Sequence, residues 1–306
     1  MSETDSLLTV AIMSYNRPDY LRNCVDSVHR HLPGARILVM DDASDDPVQQ
    51  AELRRAENER GARVVIGGAG SDWHGGLYGN MQRALELCET PLLLYLQDDS
   101  QIVRDVSGAE IAALGDHLRQ TGGAFLYPFF LKAKKKRPWA RRFVPDPVHR
   151  LMQPLRGADG VAHLTYADIA LAHVPVLRAA EWRFQRSEPR NEQNAAALFP
   201  QGMAILADPW GFYCPEVPVF RHRARTRSWV HRWATRGTSG ANRLRALDGA
   251  AVARLRARAP LDLPIAEDWL TAEDPRIKRP FVFDEMKRNK LIWLAFTLEQ
   301  RLRRRG

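Results

Sequence analysis

The chain has 306 residues, of which 45% are hydrophobic and 26% charged, and its formal net charge is +9. This is an ordinary globular composition, long enough for a large core. No run approaches the ~20 apolar residues of a membrane span. Residues 1–5 are acidic, whereas a signal peptide begins basic and then turns apolar. We therefore expect a cytoplasmic protein. Its three cysteines (Cys24, Cys88 and Cys214) match no zinc or redox spacing and are expected to be reduced packing residues.

The charge is distributed unevenly along the sequence. Residues 1–122 contain 11 Arg, no Lys and 19 acidic side chains, whereas residues 123–306 contain 34 basic and 17 acidic ones. The balance is therefore −8 in the first segment and +17 in the second. Such a split indicates that the basic part faces an anion, which would be a phosphate, a nucleic acid or a membrane surface.

Strand and helix patterns alternate in the first part of the chain. Continuous apolar runs predict buried strands over 7–13, 37–40, 63–66 and 91–96, with another strand starting at 124. The first predicted helix starts at Pro18 and ends at Pro33–Gly34, and further helices are predicted over 47–60, 76–89 and 109–120. Strands separated by helices predict an α/β fold with a doubly wound, mostly parallel sheet and helices on both of its faces.

The regular alternation ends after residue 132. Trp229 and Trp233 lie in a stretch that predicts a mobile loop, and the remainder from about residue 240 indicates helices. The last predicted helix begins near Asp284 and ends in the basic segment Arg301–Arg305. We expect residues 236–306 to form a helical C-terminal extension.

Polar residues follow each of the first four predicted strands. The segments at these strand ends are Ser14–Asn16, Asp41–Asp45, Gly67–Gly70 and Gln97–Ser100. Two of them contain adjacent pairs of aspartates, and like charges held close together repel unless a cation or hydrogen-bond donors are present. Because ligands of parallel α/β sheets bind at the carboxyl ends of the strands, these segments predict the ligand site.

Four motifs in this part of the chain resemble those of family 2 glycosyltransferases. They are Thr9–Arg17 with Leu21, Val39–Asp45, Gly75–Asn80 with Arg83–Leu85, and Tyr95–Ser100. The first is similar to the family's opening strand and turn, and the second to its Val-Asp-Asp-Gly-Ser-type motif. The third is similar to the glycine- and asparagine-containing helix, and the fourth to the metal motif. The resemblance covers residues 7–105, about the first third of the chain.

The resemblance implies a GT-A fold and the transfer of a sugar from a nucleotide-sugar donor with inversion at the anomeric carbon. It also implies Mn²⁺ or Mg²⁺, a hard cation that binds carboxylate and phosphate oxygens and neutralises charge on the leaving nucleoside diphosphate. By position, the resemblance implies that Asp42 contacts the nucleobase with Tyr15 beside it and that Asp99 binds the metal. Asp98 would contact the ribose or lie behind the residues that touch the donor. The other implied donor-binding residues of this half are Ser14, Arg17, Gly76 and Asn80.

The second half of the chain resembles the family more loosely. Asn191–Gln193 precede a predicted helix at the place where the family has a Glu-Asp-type motif, which makes Glu192 the expected catalytic base and Glu188 the reserve. His222 ends a segment similar to the family's metal-ligating strand and is the second expected metal ligand. Arg221 and Arg223 flank it and are expected to bind the donor diphosphate.

Two departures from the family pattern are visible. Gln97 stands where the metal motif often has its first acid, and the Asp expected next to Glu192 is missing. A non-catalytic nucleotide-sugar-binding relative therefore stays open as an alternative. A sugar nucleotidyltransferase is a second alternative, although such enzymes usually open with a glycine-rich loop where this chain has Ser14–Pro18.

The resemblance also assigns roles to three regions and a class of acceptor. Residues 1–122 would bind the nucleotide-sugar, and residues 123–235 would bind the acceptor and supply the base. The acceptor is expected to be a glycan or a lipid-linked molecule of bacterial surface polysaccharide or glycoconjugate synthesis. The basic C-terminus indicates either peripheral contact with anionic lipids at the inner face of the membrane or a solvated surface. Nucleic acid is not an expected partner, because none of its usual recognition motifs is present. The sequence leaves the oligomeric state open.

Overall fold

The computed structural model describes residues 6–67, 76–133, 139–217, 228–234, 240–259, 262–277, 281, 285–287 and 289–303. Its strands are β1 (Leu8–Ser14), β2 (Arg36–Asp41), β3 (Arg63–Ile66), β4 (Leu92–Gln97), β5 (Ser100–Ile102), β6 (Phe125–Tyr127), β7 (Phe143–Asp146), β8 (Leu151–Pro154), β9 (Ala170–His173), β10 (Ala204–Leu206) and β11 (Gly211–Tyr213). The predicted site residues Arg221, His222 and Arg223 lie outside the described residues.

Helices connect most of these strands. They are α1 (Pro18–His31), α2 (Pro47–Arg60), α3 (Leu77–Leu87), α4 (Gly108–Thr121), α5 (Val174–Ala179), α6 (Glu188–Leu198), α7 (Trp229–Ala234), α8 (Gly249–Arg256), α9 (Ala266–Trp269) and α10 (Lys290–Arg303), with a 3₁₀ turn at Glu285–Lys287. Among the described residues, no helix combines the length and apolar character needed to cross a bilayer.

The central sheet has the strand order β3-β2-β1-β4-β9-β6-β10-β8-β7. Strands β1 to β4 are parallel, β9 runs antiparallel between β4 and β6, and β10 is again parallel to β6. Only β9 and β8 oppose the common direction of the described strands, so the prediction of a mostly parallel sheet is confirmed. The antiparallel β9 places its first residues beside the last residues of β4.

Helices cover both faces of this sheet. Alternate residues of β1, such as Val10 and Ile12, pack with α1, α2 and α4, and the intervening Ala11 and Met13 pack with α3, α5 and α6. All four are buried, which explains why the strand has a continuous apolar run instead of alternation. The three cysteines are free and buried, as expected.

Three local predictions in the second half are wrong. Helix α6 begins at Glu188, so Asn191–Gln193 lie inside it, because Ser187 in an extended conformation and a proline in the first turn start the helix earlier. The segment predicted as a mobile loop contains helix α7, whose first N–H groups are bound by the carboxylate of Glu299. The last helix begins at Lys290 rather than near Asp284, with Asn289 accepting a hydrogen bond from Leu291 N.

Much of the predicted C-terminal extension packs onto the main sheet region. Leu244, Leu255 and Leu270 form one cluster with residues of β11 and of the segments next to β5 and β6. A further cluster joins α7 to α10 through Val230, Ile292 and other apolar side chains. The boundaries of the three predicted regions stay predictions.

Candidate active site

The carboxyl ends of β1, β2 and β4 meet at one edge of the sheet. Backbone hydrogen bonds join the segments after these strands, since Asp42 N donates to Ser14 O (3.0 Å) and Asp98 N donates to Met13 O (2.9 Å). Parallel pairing sets Ser14 opposite Asp41 and Met13 opposite Gln97. Both acidic segments and the Ser14–Asn16 turn are therefore neighbours, as their positions at strand ends predict.

Arg17 lies between the two carboxylates of the second acidic pair. Its Nη2 is 2.7 Å from Asp98 Oδ1, and its Nη1 is 3.1 Å from Asp99 Oδ2. The negative charges of these aspartates outweigh the effect of burial and raise the pKa of the Arg17 guanidinium. The backbone N–H of Tyr15 also donates to Asp98 Oδ2 at 3.2 Å. One cation thus separates two like charges that would otherwise repel.

Asp99 keeps one oxygen available at this edge. Its Oδ1 is buried and has no hydrogen-bond partner among the residues that the structure describes. The backbone of the same residue is fixed, because Cys214 N donates to Asp99 O (2.7 Å) and the β5–β11 pair continues from there. A buried carboxylate oxygen without a donor is costly, which favours a ligand such as a cation at this position.

A second group of predicted donor-binding residues surrounds the other acidic segment. Asp42 Oδ2 accepts a hydrogen bond from Gly76 N at 2.9 Å, and Asn80 follows one helical turn later with its N donating to Gly76 O. A Cβ on Gly76 would collide with the Asp42 carboxylate, and one on Gly67 would collide with the Asn80 amide. Any larger residue at either position would have to displace one of these two side chains.

The buried Ser14 supports this arrangement through its hydroxyl. Its hydroxyl accepts from Gln49 Nε2 at 2.6 Å, and Gln49 Nε2 also lies 3.3 Å from Asp41 Oδ1. Asp41 in turn accepts hydrogen bonds from both the N–H and the hydroxyl of Ser44. Ala43 between them has φ of +53°, a left-handed conformation that is strained for any residue with a Cβ. These contacts fix the turn that carries Asp42.

Asp168 is a site residue that the sequence did not reveal. It precedes β9, whose start lies beside the end of β4. Its carboxylate accepts hydrogen bonds from Tyr78 (3.1 Å) and Tyr166 (2.9 Å). Burial, followed by the negative charge of Glu188, raises the pKa of Asp168 to about 7, although the two tyrosines act in the opposite direction. Its sequence signal is a single acid in the otherwise apolar and aromatic segment Tyr166–Ala172.

Glu188, at the start of α6, acts electrostatically on Tyr78, Tyr127 and Tyr213, which we call the tyrosine cluster. Its negative charge adds to the burial that raises the pKa of each of these three tyrosines. The pKa of Tyr213 is also raised by the charge of Asp99. The charges of Glu188 and Asp99 thus both act on Tyr213.

Glu192 has a different environment. It is exposed one turn further along α6, and its backbone O accepts a hydrogen bond from Thr165 Oγ1 at 3.0 Å. The charge of Glu192 is not among the effects that shift the pKa of the tyrosine cluster or of Asp168. Of the two glutamates singled out from the sequence, Glu188 is therefore the one next to the tyrosine cluster.

The Asp168→Asn variant of the metal-free chain is expected to gain stability relative to wild type as the pH rises from 5 to 8. The folded state holds the Asp168 proton more tightly than the unfolded chain, whose pKa is near the ordinary 3.8. The free energy of unfolding of wild type therefore falls as the pH rises through the range between these two pKa values. Relative to the variant, it falls by about 2–3 kcal/mol from pH 5 to pH 8. Urea unfolding at both pH values measures this. Asp116→Asn, at an exposed aspartate, is the control, and an equal effect of Asp168→Asn at both pH values would contradict the prediction.

A mostly parallel α/β sheet with a polar, carboxylate-lined edge at its strand ends places the chain in the class of α/β proteins that bind ligands at the carboxyl ends of their strands. Residues 9–164, about half of the chain, match the model of glycosyl transferase family 2. The chain belongs to this family, and its sheet is the GT-A fold. The match includes Asp42, Asp98 and Asp99 and ends before Asp168 and Glu188. No curated protein matches the sequence.

Solved structures with a similar fold include S. aureus TarS 1-349 (TM-score 0.47, 12% identity, 67% of this chain and 60% of that chain). The same fragment in complex with UDP has a TM-score of 0.47 and 14% identity, covering 69% and 61%. The mannosyltransferase PcManGT from Pyrobaculum calidifontis, in complex with GDP-Man and Mn2+, has a TM-score of 0.42 and 13% identity, covering 68% and 59%. The chain thus spans about three fifths of the length of these proteins.

Proposed function

We propose that this chain is a metal-dependent, inverting glycosyltransferase that moves a sugar from a nucleoside-diphosphate donor to a hydroxyl acceptor. The observation that carries the proposal is the buried Asp99 Oδ1, which lacks a hydrogen-bond partner among the described residues and lies at the ligand-binding edge of a family 2 sheet. A GT-A sheet and a carboxylate suited to a hard cation are the two parts that such a transferase needs at its donor site.

The residues at this edge fit Mn²⁺ or Mg²⁺. Asp99 would hold the ion through Oδ1, while its Oδ2 stays bound to Arg17. His222 remains the predicted second protein ligand, in a segment outside the described residues. The ion would supply charge neutralisation on the donor diphosphate. Arg17, which we had expected to contact the donor, is better explained as the residue that orients Asp98 and Asp99.

The donor nucleoside would lie between the two acidic segments. Asn80 packs closely against Gly67, and Asp42 packs closely against Gly76. The backbone of Tyr15 binds Asp98 at the other segment. Side-chain amides and carboxylates of this kind recognise the polar edges of a base and the hydroxyls of a ribose. Arg221 and Arg223 remain predicted contacts of the diphosphate.

We propose Glu188, instead of Glu192, as the catalytic base. A base must come within hydrogen-bond reach of the attacking hydroxyl. The charge of Glu188 acts on Tyr213, and so does the charge of the proposed metal ligand Asp99, which supports a place for Glu188 near the donor site. In an inverting transfer the base takes the proton from the acceptor oxygen as that oxygen attacks the anomeric carbon and the nucleoside diphosphate leaves. Asp168 and its two tyrosines would bound the acceptor side of this space.

Thermal unfolding with UDP, GDP and dTDP, each with and without Mn²⁺, tests the donor site. One nucleoside diphosphate is expected to stabilise the wild-type chain in a Mn²⁺-dependent way, because a ligand that binds only the folded state raises its stability. Asp99→Asn should abolish this dependence, whereas Asp116→Asn at an exposed site should retain it. An unchanged Mn²⁺ dependence in Asp99→Asn would overturn the proposed donor site.

We further propose that the acceptor is lipid-linked and that the chain meets it at an anionic membrane surface through α10. This helix has two apolar stripes. Ile292 and Phe296 are buried against the protein, and a second stripe faces solvent, consisting of Leu291, Leu294, Leu298 and Leu302. Lys290 and Arg301 lie together along one side of the outer stripe in projection, which combines basic and apolar surface as in helices that lie in a membrane interface. The exposed Trp229 and Trp233 lie on α7, which packs against α10.

Sedimentation with lipid vesicles tests this surface. Wild-type chain is expected to bind vesicles that contain phosphatidylglycerol and to bind pure phosphatidylcholine weakly, because basic side chains gain about 1 kcal/mol each near an anionic surface. The double variant Leu291→Glu with Leu298→Glu should lose at least about 10-fold in binding through repulsion and lost apolar burial. Val148→Glu, at an equally exposed apolar side chain, is the control. Equal binding by both variants would contradict the proposed surface.

A further inference from the structure

A group of two histidines and one aspartate lies on the surface between α4 and the β7–β8 hairpin. His117 is buried on α4, Asp146 ends β7, and His149 lies in the turn before β8. One candidate ligand atom from each residue lies within 4.8 Å of the other two. The group thus lies between a helix and the hairpin that forms one edge of the sheet.

The hairpin turn already holds two of these side chains in place. Asp146 Oδ1 accepts a hydrogen bond from His149 N (3.1 Å), and Asp146 Oδ2 lies 2.8 Å from His149 Nδ1. The rings of His117 and His149 have centroids 4.4 Å apart and are tilted by 50°. Little rearrangement is needed for two imidazole nitrogens and one carboxylate oxygen to converge on a single point.

We propose that His117, Asp146 and His149 bind a transition-metal ion of the zinc class. Two imidazoles with one carboxylate are a donor set typical of Zn²⁺, Ni²⁺, Co²⁺ or Fe²⁺, whereas Mn²⁺ and Mg²⁺ favour oxygen ligands. His149 and Asp146 are partly exposed, which leaves access for the ion and a position for water.

This site is separate from the donor site. Strand β7 is five positions from β4 in the strand order of the sheet. At the usual spacing between strands, this is a lateral distance of about 24 Å. An ion there would not reach the donor diphosphate. Its role would be to tie α4 to the β7–β8 hairpin, since a metal that binds only the folded state stabilises it.

Isothermal titration calorimetry of the tag-free, full-length chain with Zn²⁺ tests the site, and thermal unfolding with and without Zn²⁺ measures the melting temperature. We expect one Zn²⁺ per chain at the histidine group and a higher melting temperature on binding. His149→Ala and His117→Gln should each weaken this binding at least about 10-fold. His163→Ala, at an exposed histidine on another segment, should bind like wild type.

Two further results separate this site from the donor site. Asp99→Asn should retain the Zn²⁺ affinity of the histidine group, and His149→Ala should retain the Mn²⁺-dependent response to a nucleoside diphosphate. Zn²⁺ binding that is unaffected by His149→Ala and His117→Gln would overturn the proposal. So would binding that is lost in Asp99→Asn, because the ion would then be at the sheet edge.

Discussion

Replacing Arg17 with methionine is expected to lower the free energy of unfolding of the metal-free chain by about 3–5 kcal/mol. Arg17 contacts both Asp98, whose side chain is 0% exposed, and Asp99, whose side chain is 10% exposed. Without it, two adjacent buried carboxylates lose the cation that both contact, and removing one partner of a buried ion pair leaves the desolvation cost of the other. Urea unfolding in the presence of a chelator measures the loss.

Arg22→Met is a matched control for this variant. Arg22 also contacts a fully buried acid, Glu52, at 2.7 Å, but Arg55 binds the other oxygen of that carboxylate at 2.7 Å. A cation therefore remains after the substitution, and we expect a loss of about 1 kcal/mol. Mn²⁺ should restore more stability to Arg17→Met than to wild type, because it would supply the missing charge. Equal losses in Arg17→Met and Arg22→Met would show that Arg17 does not balance the pair.

Glu188→Gln is expected to lower the rate of sugar transfer about 1,000-fold while the affinity for the nucleoside diphosphate stays within a few-fold of wild type. A positioned general base contributes roughly 10²–10⁴-fold to the rate, and glutamine retains the shape of the side chain but cannot take a proton. Release of the nucleoside diphosphate from the matching nucleotide-sugar, with water as the acceptor, provides the measurement before the natural acceptor is known.

Glu192→Gln is the matched control for the base, because it makes the same change one helical turn away on α6. We expect its rate to stay within about three-fold of wild type, since the structure gives its carboxylate no role in the tyrosine cluster. A large loss in Glu192→Gln with a normal Glu188→Gln would reverse the assignment. Normal rates in both variants would reject both glutamates and direct attention to Asp168.

The first half of the fold was predictable because its signals are local. Helix α2 begins at Pro47, after Asp46 caps it through Val48 N, and ends before Gly61 in a left-handed conformation. Helix α4 has the same two signals in Ser107 and Gly122. The second half was less predictable because its strands are short, of three or four residues, and its helix starts depend on partners elsewhere, such as Glu299 for α7.

The sequence by itself determined which residues end the parallel strands, and hence that Asp42, Asp98 and Asp99 share one edge of a sheet. Side-chain period and apolar runs carry that information within a few residues. Only the tertiary structure decided what surrounds these acids. Tyr78 and Asp168 are 90 positions apart, and they meet because β9 runs antiparallel beside β4. The positions of Arg17 and Glu188 relative to these residues likewise depend on the order and direction of the strands. No local sequence pattern encodes that order.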